Sequence, residues 1–379
     1  DIFYSALGTT TGEYTVQFTA AGTSSTIALI TSAQGITVYS NVSVKQVDRD
    51  NVPRIDYTGG GCPHILSEPQ RTNLLTQSNQ FDTTWNQSGT LTSGQDGVGG
   101  STDAWKFQNP NSTSSLYQPD TTSGVQTLSA YFKKNSNYGV RFYAFGSVNC
   151  SAFFDLNNGA VVVEFNSTAK IETVGDDWFR CSMTFDQTNT RCDFYVTNNA
   201  STQVLGDYTI QYAQLEQGSY ATSYIPTSGS AVTRNQDVFT RDGIGSLIGT
   251  EGVLFVEMAA LSNDLTNRSI SLNDGTSSNR LLLYFSSASN QIAVVSTGFT
   301  GSINYAVSDE TSFNKFAVRY KDNDVTLWVD GASRGTPITS ATIPTFTALK
   351  FDSGAGASPF YCKVKQLQVY PTALYDSEL

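Results

Sequence analysis

The chain has 379 residues, a formal net charge of −11 and only 15% charged residues, against about 25% in an average globular domain. That balance excludes the basic stripe needed to hold nucleic-acid phosphates, and equally a polybasic contact with anionic lipid. No apolar run reaches the ~18 residues that would span a bilayer as a helix.

Length sets two or three domains. Aromatic residues make up 12% of the chain, with 31 glycines and many Ser, Thr and Asn, the mixture that suits pleated strands joined by tight turns. Helical periodicity is almost absent. Short alternating segments recur every eight to twelve residues, roughly the spacing of sandwiches and jelly rolls. The expected fold is therefore all-β: tandem antiparallel jelly-roll β-sandwiches with almost no helix.

Residues 1–47 carry a few alternating strands, with Tyr14, Val16 and Phe18 in phase and then Val38, Val42 and Val44. So short a piece has too small a core to stand alone. It reads as the C-terminal half of a jelly-roll module, completed by upstream residues or by another chain. With Asp at position 1 and no signal-peptide pattern, a fragment, a processed chain or the ordered part of a longer one is expected. Residues 48–76 hold Pro53, Pro63, Pro69 and the run Gly59–Gly61, and read as an ordered connector crossing the surface.

Residues 77–227 form the next module, with strands expected at 127–134, 139–145, 151–156, 160–165, 178–185, 191–196 and 208–216. Asn157-Asn158-Gly159 marks a hairpin between two of them. Residues 228–249 form a Ser/Gly/Thr-rich linker. Residues 250–379 form a third module, whose clearest piece is the hairpin 316–331. There Phe316, Val318 and Tyr320 alternate, Lys321-Asp322-Asn323-Asp324 turn, and Val325, Leu327 and Val329 alternate again. A loose internal repeat links GITVYSNVSVKQ near the N-terminus with GDYTIQYAQLEQ in the middle module.

Five cysteines, Cys62, Cys150, Cys181, Cys192 and Cys362, include no C-x-x-C pair. Free, mostly buried thiols are expected, with a Cys181–Cys192 bridge between neighbouring strands as the alternative.

Several segments of the middle module resemble a known family: EPQRTNLL (68–75), AYFKK (130–134), FFDLNNGAVV (153–162), GDDWFRCSMTF (175–185) and AQLEQGSYATSYIPTSGSAVTR (213–234). They are similar to the carbohydrate-binding-module-like jelly rolls of bacteriophage tail fibres, tailspikes and capsid-attached fibres. The C-terminal hairpin with FYCKVKQLQVYPTALYDSEL (360–379) is similar to laminin-G or concanavalin-A-like sandwiches. The resemblance implies a virion surface protein, made in a host cytoplasm, that attaches to cell-surface or environmental glycans. Other virion proteins and further copies of the chain, as a trimer, are its implied partners, since weak sugar sites gain from avidity. A spacer without sugar affinity, a polysaccharide hydrolase or lyase, and a secreted lectin-like protein are the alternatives.

Residues that carry chemistry are scarce. His64 is the single histidine, so any Ser-His-Asp site would have to use it, and it lies in the connector. Glycosidases need two carboxylates flanking the scissile bond. Asp155 and Glu164, on two arms of one hairpin, read as solvent-facing polar positions. No enzymatic machinery is expected. No cofactor is expected either, apart from a structural calcium for which Asp176, Asp177, Asp322 and Asp324 are candidate ligands in oxygen-rich turns.

Sugars are held by rings that stack on their C–H faces and by planar polar groups that fix their hydroxyls. On 139–145, Arg141, Tyr143 and Phe145 alternate with Val140, Phe142 and Ala144. If the second set is core, the first faces out. Arg141 with Tyr143 is the leading glycan-binding candidate, with Trp105 and Tyr117 from nearby segments. Loops around Arg268 and Arg280 are candidates in the third module. Trp178 and Trp328 are expected in cores.

Overall fold

A computed structural model describes residues 53–57, 62–135, 138–198 and 200–379. These all belong to one compact unit, Asp48–Leu379. The expectations for residues 1–47, including their half of the internal repeat, lie outside the described residues. Within the unit the architecture is two antiparallel β-sandwiches.

The middle sandwich follows the alternation of its sequence closely. Strands form at Val125–Lys134, Gly139–Gly146, Cys150–Asp155, Ala160–Phe165, Trp178–Asp186, Asn189–Thr197 and Gly206–Gln217, each within two residues of its expected limits. Gly159 closes the expected hairpin with φ +63°, a left-handed value that glycine adopts without strain. Five further strands, Asn86–Gln87, Thr90–Gln95, Ala104–Asn109, Ser115–Pro119 and Thr168–Gly175, complete the two layers.

One layer runs, in order, Ala160–Phe165, Cys150–Asp155, Gly139–Gly146, Asn189–Thr197, Ser115–Pro119 and Asn86–Gln87. The other runs Thr168–Gly175, Trp178–Asp186, Val125–Lys134, Gly206–Gln217, Ala104–Asn109 and Thr90–Gln95. Between them lies an aromatic core in which Phe132, Phe142, Phe194 and Tyr208 meet edge to face or tilted at 4.8–5.6 Å, the arrangement that ring quadrupoles favour.

The C-terminal sandwich packs a seven-stranded sheet on a six-stranded one around Leu254, Val256, Ile270, Leu283, Val318 and Leu327. Asn314–Lys321 and Asp324–Val329 form the expected hairpin, with Asn323 at φ +59° in the turn.

The Pro/Gly connector and the Ser/Gly linker are both paired into sheets. Arg54–Asp56 and His64–Leu66, which precede the middle sandwich, add to the C-terminal one through Cys362–Tyr370. Arg71–Asn73 pairs with Val232–Arg234, and Thr240–Arg241 pairs with Ala348–Lys350. The middle sandwich is thus looped out between pieces of the C-terminal one.

A buried ionic network ties these crossings. Arg54 reaches Glu68 at 2.7 Å and Asp237 through Nε at 3.1 Å, and Arg234 reaches Glu68 at 2.6 Å. Backbone amides of Ser223 and Glu68 cap the same carboxylates. Burial alone would lift the Glu68 carboxyl, but Arg234 and Arg54 outweigh it and hold the group below its usual range.

The cysteines are free, with Cys62 exposed and the other four buried. Cys181 and Cys192 lie on opposite layers of the middle sandwich, so the conceivable bridge between neighbouring strands is not formed. Ellman's reagent should therefore titrate one thiol in the native chain and five after unfolding; more than one fast-reacting native thiol would contradict the buried placement.

Glu68→Gln removes the counter-charge of Arg234 and should cost about 3 kcal/mol in urea unfolding near neutral pH. Because the folded Glu68 value is depressed, its contribution is complete above the ordinary value of 4.5 and is lost as pH falls through the lower folded one. The gap between wild type and variant should close in acid; a gap that persists unchanged would contradict this role for the Glu68 charge.

Candidate functional site

The central strands of the first layer turn one set of side chains into the core and the other set away from it. Val140, Phe142 and Ala144, with Cys192, Phe194 and Val196, are fully buried inside. Arg141, Tyr143 and Phe145 point outward, as their alternation predicts. Pairing register then decides their neighbours. Arg141 stands opposite Tyr195 and Phe153, Tyr143 opposite Asp193, and Phe145 opposite Arg191. On the next strand Tyr117 stands opposite Asp193.

Two cation–ring stacks result. The Arg141 guanidinium sits 4.1 Å from the ring centre of Tyr143, 4.9 Å from Phe153 and 5.8 Å from Tyr195. Arg191 sits 4.2 Å from Phe145 and 4.5 Å from Tyr117. Tyr143 and Phe145 join the stacks, with ring centres 4.1 Å apart. Phe153 and Tyr195 are buried beneath, whereas Tyr117, Tyr143 and Phe145 remain partly open to solvent.

Asp193 anchors the face from below. Its side chain is fully buried, lies 3.0 Å from Arg191 Nε, and accepts hydrogen bonds from Ser115 Oγ and Tyr195 Oη. Burial is the largest influence and lifts the Asp193 carboxyl above its usual range, although Arg191, Ser115 and Tyr195 pull it down. Burial beside Asp193 also pushes the Tyr195 hydroxyl up to about 12. The rings are thus set by buried hydrogen bonds and packing.

Of the four glycan candidates, Arg141, Tyr143 and Tyr117 come together on this face. Trp105 does not join them. It lies on the opposite layer, 7% exposed, and packs in the core 6.4 Å from Phe81. Sequence reading missed Arg191, Asp193 and Tyr195, whose i, i+2, i+4 spacing on one strand carried the signal. In the third module Arg268 is buried and paired with Asp264, and Arg280 donates to the Ser353 carbonyl. Trp178 is core, as expected. Trp328 is not: it is half-buried and lines an outer cleft of about 400 Å³ with Phe255, Ala317 and Lys315.

His64 packs edge-on against Phe313, 3.4 Å from Asp56, and burial lowers its pKa. Asp155 is buried rather than solvent-facing, because it accepts the amides of Asn157 and Asn158 and so shapes the hairpin turn, while Glu164 is exposed, as expected, and accepts the Ala169 amide. The three central strands of the face contribute one carboxylate, Asp193. Among the described residues no group of three or more His, Cys, Asp or Glu side chains is placed to hold a metal ion. Asp176 and Asp177 occupy left-handed turn positions, Asp322 accepts the Ile343 amide, and Asp324 meets Arg319 and Lys321.

No protein-family model matches the chain, and no curated protein does. Among solved structures it is similar to the Ruminococcus gnavus IT-sialidase CBM40 bound to alpha2,3 sialyllactose, at 16% identity over 35% of this chain and 82% of that one, with a TM-score of 0.30. Mouse laminin alpha1 domains LG4-5 align at 11% identity over 86% of this chain and 96% of that one, TM-score 0.26. A Trypanosoma rangeli sialidase in complex with sialic acid aligns at 8% identity over 86% and 60%, TM-score 0.28. Likeness at these scores decides neither ligand nor reaction, which rest on the residues of the site.

A carboxyl carbon NMR titration should place the Asp193 midpoint above its ordinary value of 3.8. A midpoint below that value would mean that the Arg191 pair, not burial, governs the group.

Proposed function

We propose that this chain is a non-enzymatic attachment protein that holds glycans on the outer face formed by Tyr117, Tyr143 and Phe145. The observation that carries this reading is the position of those three partly open rings. They sit on strands Ser115–Pro119 and Gly139–Gly146, on the side turned away from the opposing layer. Core packing does not require large aromatics there, and partly open rings on an outer sheet face cost solvation unless a ligand covers them. Arg141 and Arg191 supply N–H donors beside the rings, which suits sugar hydroxyls.

The likeness of EPQRTNLL, FFDLNNGAVV and AQLEQGSYATSYIPTSGSAVTR to segments of bacteriophage fibre modules supports a virion surface as the setting. Other virion proteins and copies of this chain are then its partners, and trimerisation would multiply the weak affinity of a single open face.

A glycan array probed with the full chain tests the reading. Wild type should bind a defined subset of glycans. Tyr143→Ala and Phe145→Ala should each lower that binding at least ~tenfold, about 1.4 kcal/mol. Tyr375→Ala, at a residue 78% exposed in the C-terminal sandwich, should leave it unchanged. No binding to any glycan, or equal binding by the ring variants, would overturn the proposal; release of reducing ends from a polysaccharide would overturn its non-enzymatic part.

A further inference from the structure

The arginines of the middle sandwich are not equivalent. Arg191 is matched by Asp193 at 3.0 Å, and Arg180 donates to the Thr222 carbonyl. Arg71 lies 3.6 Å from buried Glu216. Arg141 differs in having no carboxylate within ion-pair distance among the described residues; its Nε, like those of Arg71, Arg180 and Arg191, is buried without a hydrogen-bond partner. Its cationic group is instead held against Tyr143, Phe153 and Tyr195. Asp193 and the Tyr143 and Tyr195 hydroxyls act on this cation electrostatically, but a partly desolvated guanidinium without a paired carboxylate keeps capacity for an anion.

We infer that the Arg141 end of this face takes a carboxylate carried on a pyranose ring, so that the glycans it selects are acidic. The inference rests on the glycan reading above and names the ligand class for the same face. The Arg141 side chain is stacked against rings and partly open to solvent, and because its Nε is buried the Nη1/Nη2 edge is the one a ligand would meet. A planar carboxylate meets that edge with two parallel N–H···O bonds, a match that a lone hydroxyl cannot make. Tyr143 and Phe145, 4.1 Å apart, lie next to the guanidinium, where the C–H face of the same sugar would rest. Arg191 does not compete for the anion, because Asp193 already neutralises it. The chain carries a net charge of −11, so long-range attraction is not the source of this preference. It is a contact effect and should survive physiological salt, where charges beyond roughly 8 Å are screened.

Calorimetry on the full chain tests this with two matched ligand pairs: trigalacturonate against its methyl ester, and sialyllactose against lactose. In at least one pair the free acid should bind ten times or more as tightly as its neutral partner. Arg141→Gln should abolish that preference, and Arg141→Lys should restore only part of it, since the charge returns without the fork. Equal affinity within both pairs, with binding still lost in Tyr143→Ala, would overturn the acidic preference and leave the glycan face standing. Binding to none of the four probes would overturn the acidic preference, and the array then decides whether the glycan reading falls with it. A preference that persists in Arg141→Gln would assign the carboxylate to another group.

Discussion

Phe142 and Phe194 face each other across the two central strands of the middle sandwich, fully buried with ring centres 4.8 Å apart. Because successive residues of a strand point to opposite sides, fixing those two rings inside fixes Arg141, Tyr143, Asp193 and Tyr195 outside. A slip of one residue in either strand would send charged groups into the core and phenylalanines into water. The core therefore specifies the recognition face as strictly as it specifies itself, and the candidate site needs no loop to position it. Asp193 completes the arrangement by tethering Arg191, Ser115 and Tyr195 at once.

Sequence carried Gly139–Gly146 well because its buried face has a period of two, whereas Cys150–Asp155, buried throughout, was legible from its apolar residues and the Asn157-Asn158-Gly159 turn that follows it. The same period of two carried Arg141 and Tyr143. Trp105 was less legible: Trp105, Phe107 and Asn109 share one phase of Ala104–Asn109 and point inward, but the strand is short and its alternation is blurred by Ala104, which is also buried. Trp328 went the other way. Val325, Leu327 and Val329 are the inward set, so the residue between them had to face out, however apolar it is. Size and hydrophobicity suggested core, and register overruled them.

The connectors were hidden for a different reason. Arg54–Asp56 and His64–Leu66 form strands of three residues, too short for any periodicity. Their pairing with Cys362–Tyr370 is a long-range choice that local sequence does not encode. What holds these crossings is a set of four charges, Arg54 and Glu68 from the connector and Arg234 and Asp237 from the linker. Such a cluster cannot be read from spacing, because its members lie up to 183 residues apart. Its fully matched charges also explain how carboxylates can be buried at a junction at all.

The central claim is that ring stacking on the outer face of the first layer is how this chain grips its ligand. Aromatic and guanidinium NMR spectra of the chain, recorded while an array-selected glycan is added, address it directly. The account predicts saturable shifts at Tyr117, Tyr143, Phe145 and Arg141, with the core rings Phe132 and Phe142 little changed. Shifts centred instead on Trp328 and Phe255 in the C-terminal sandwich, with the Tyr143 face silent, would contradict it.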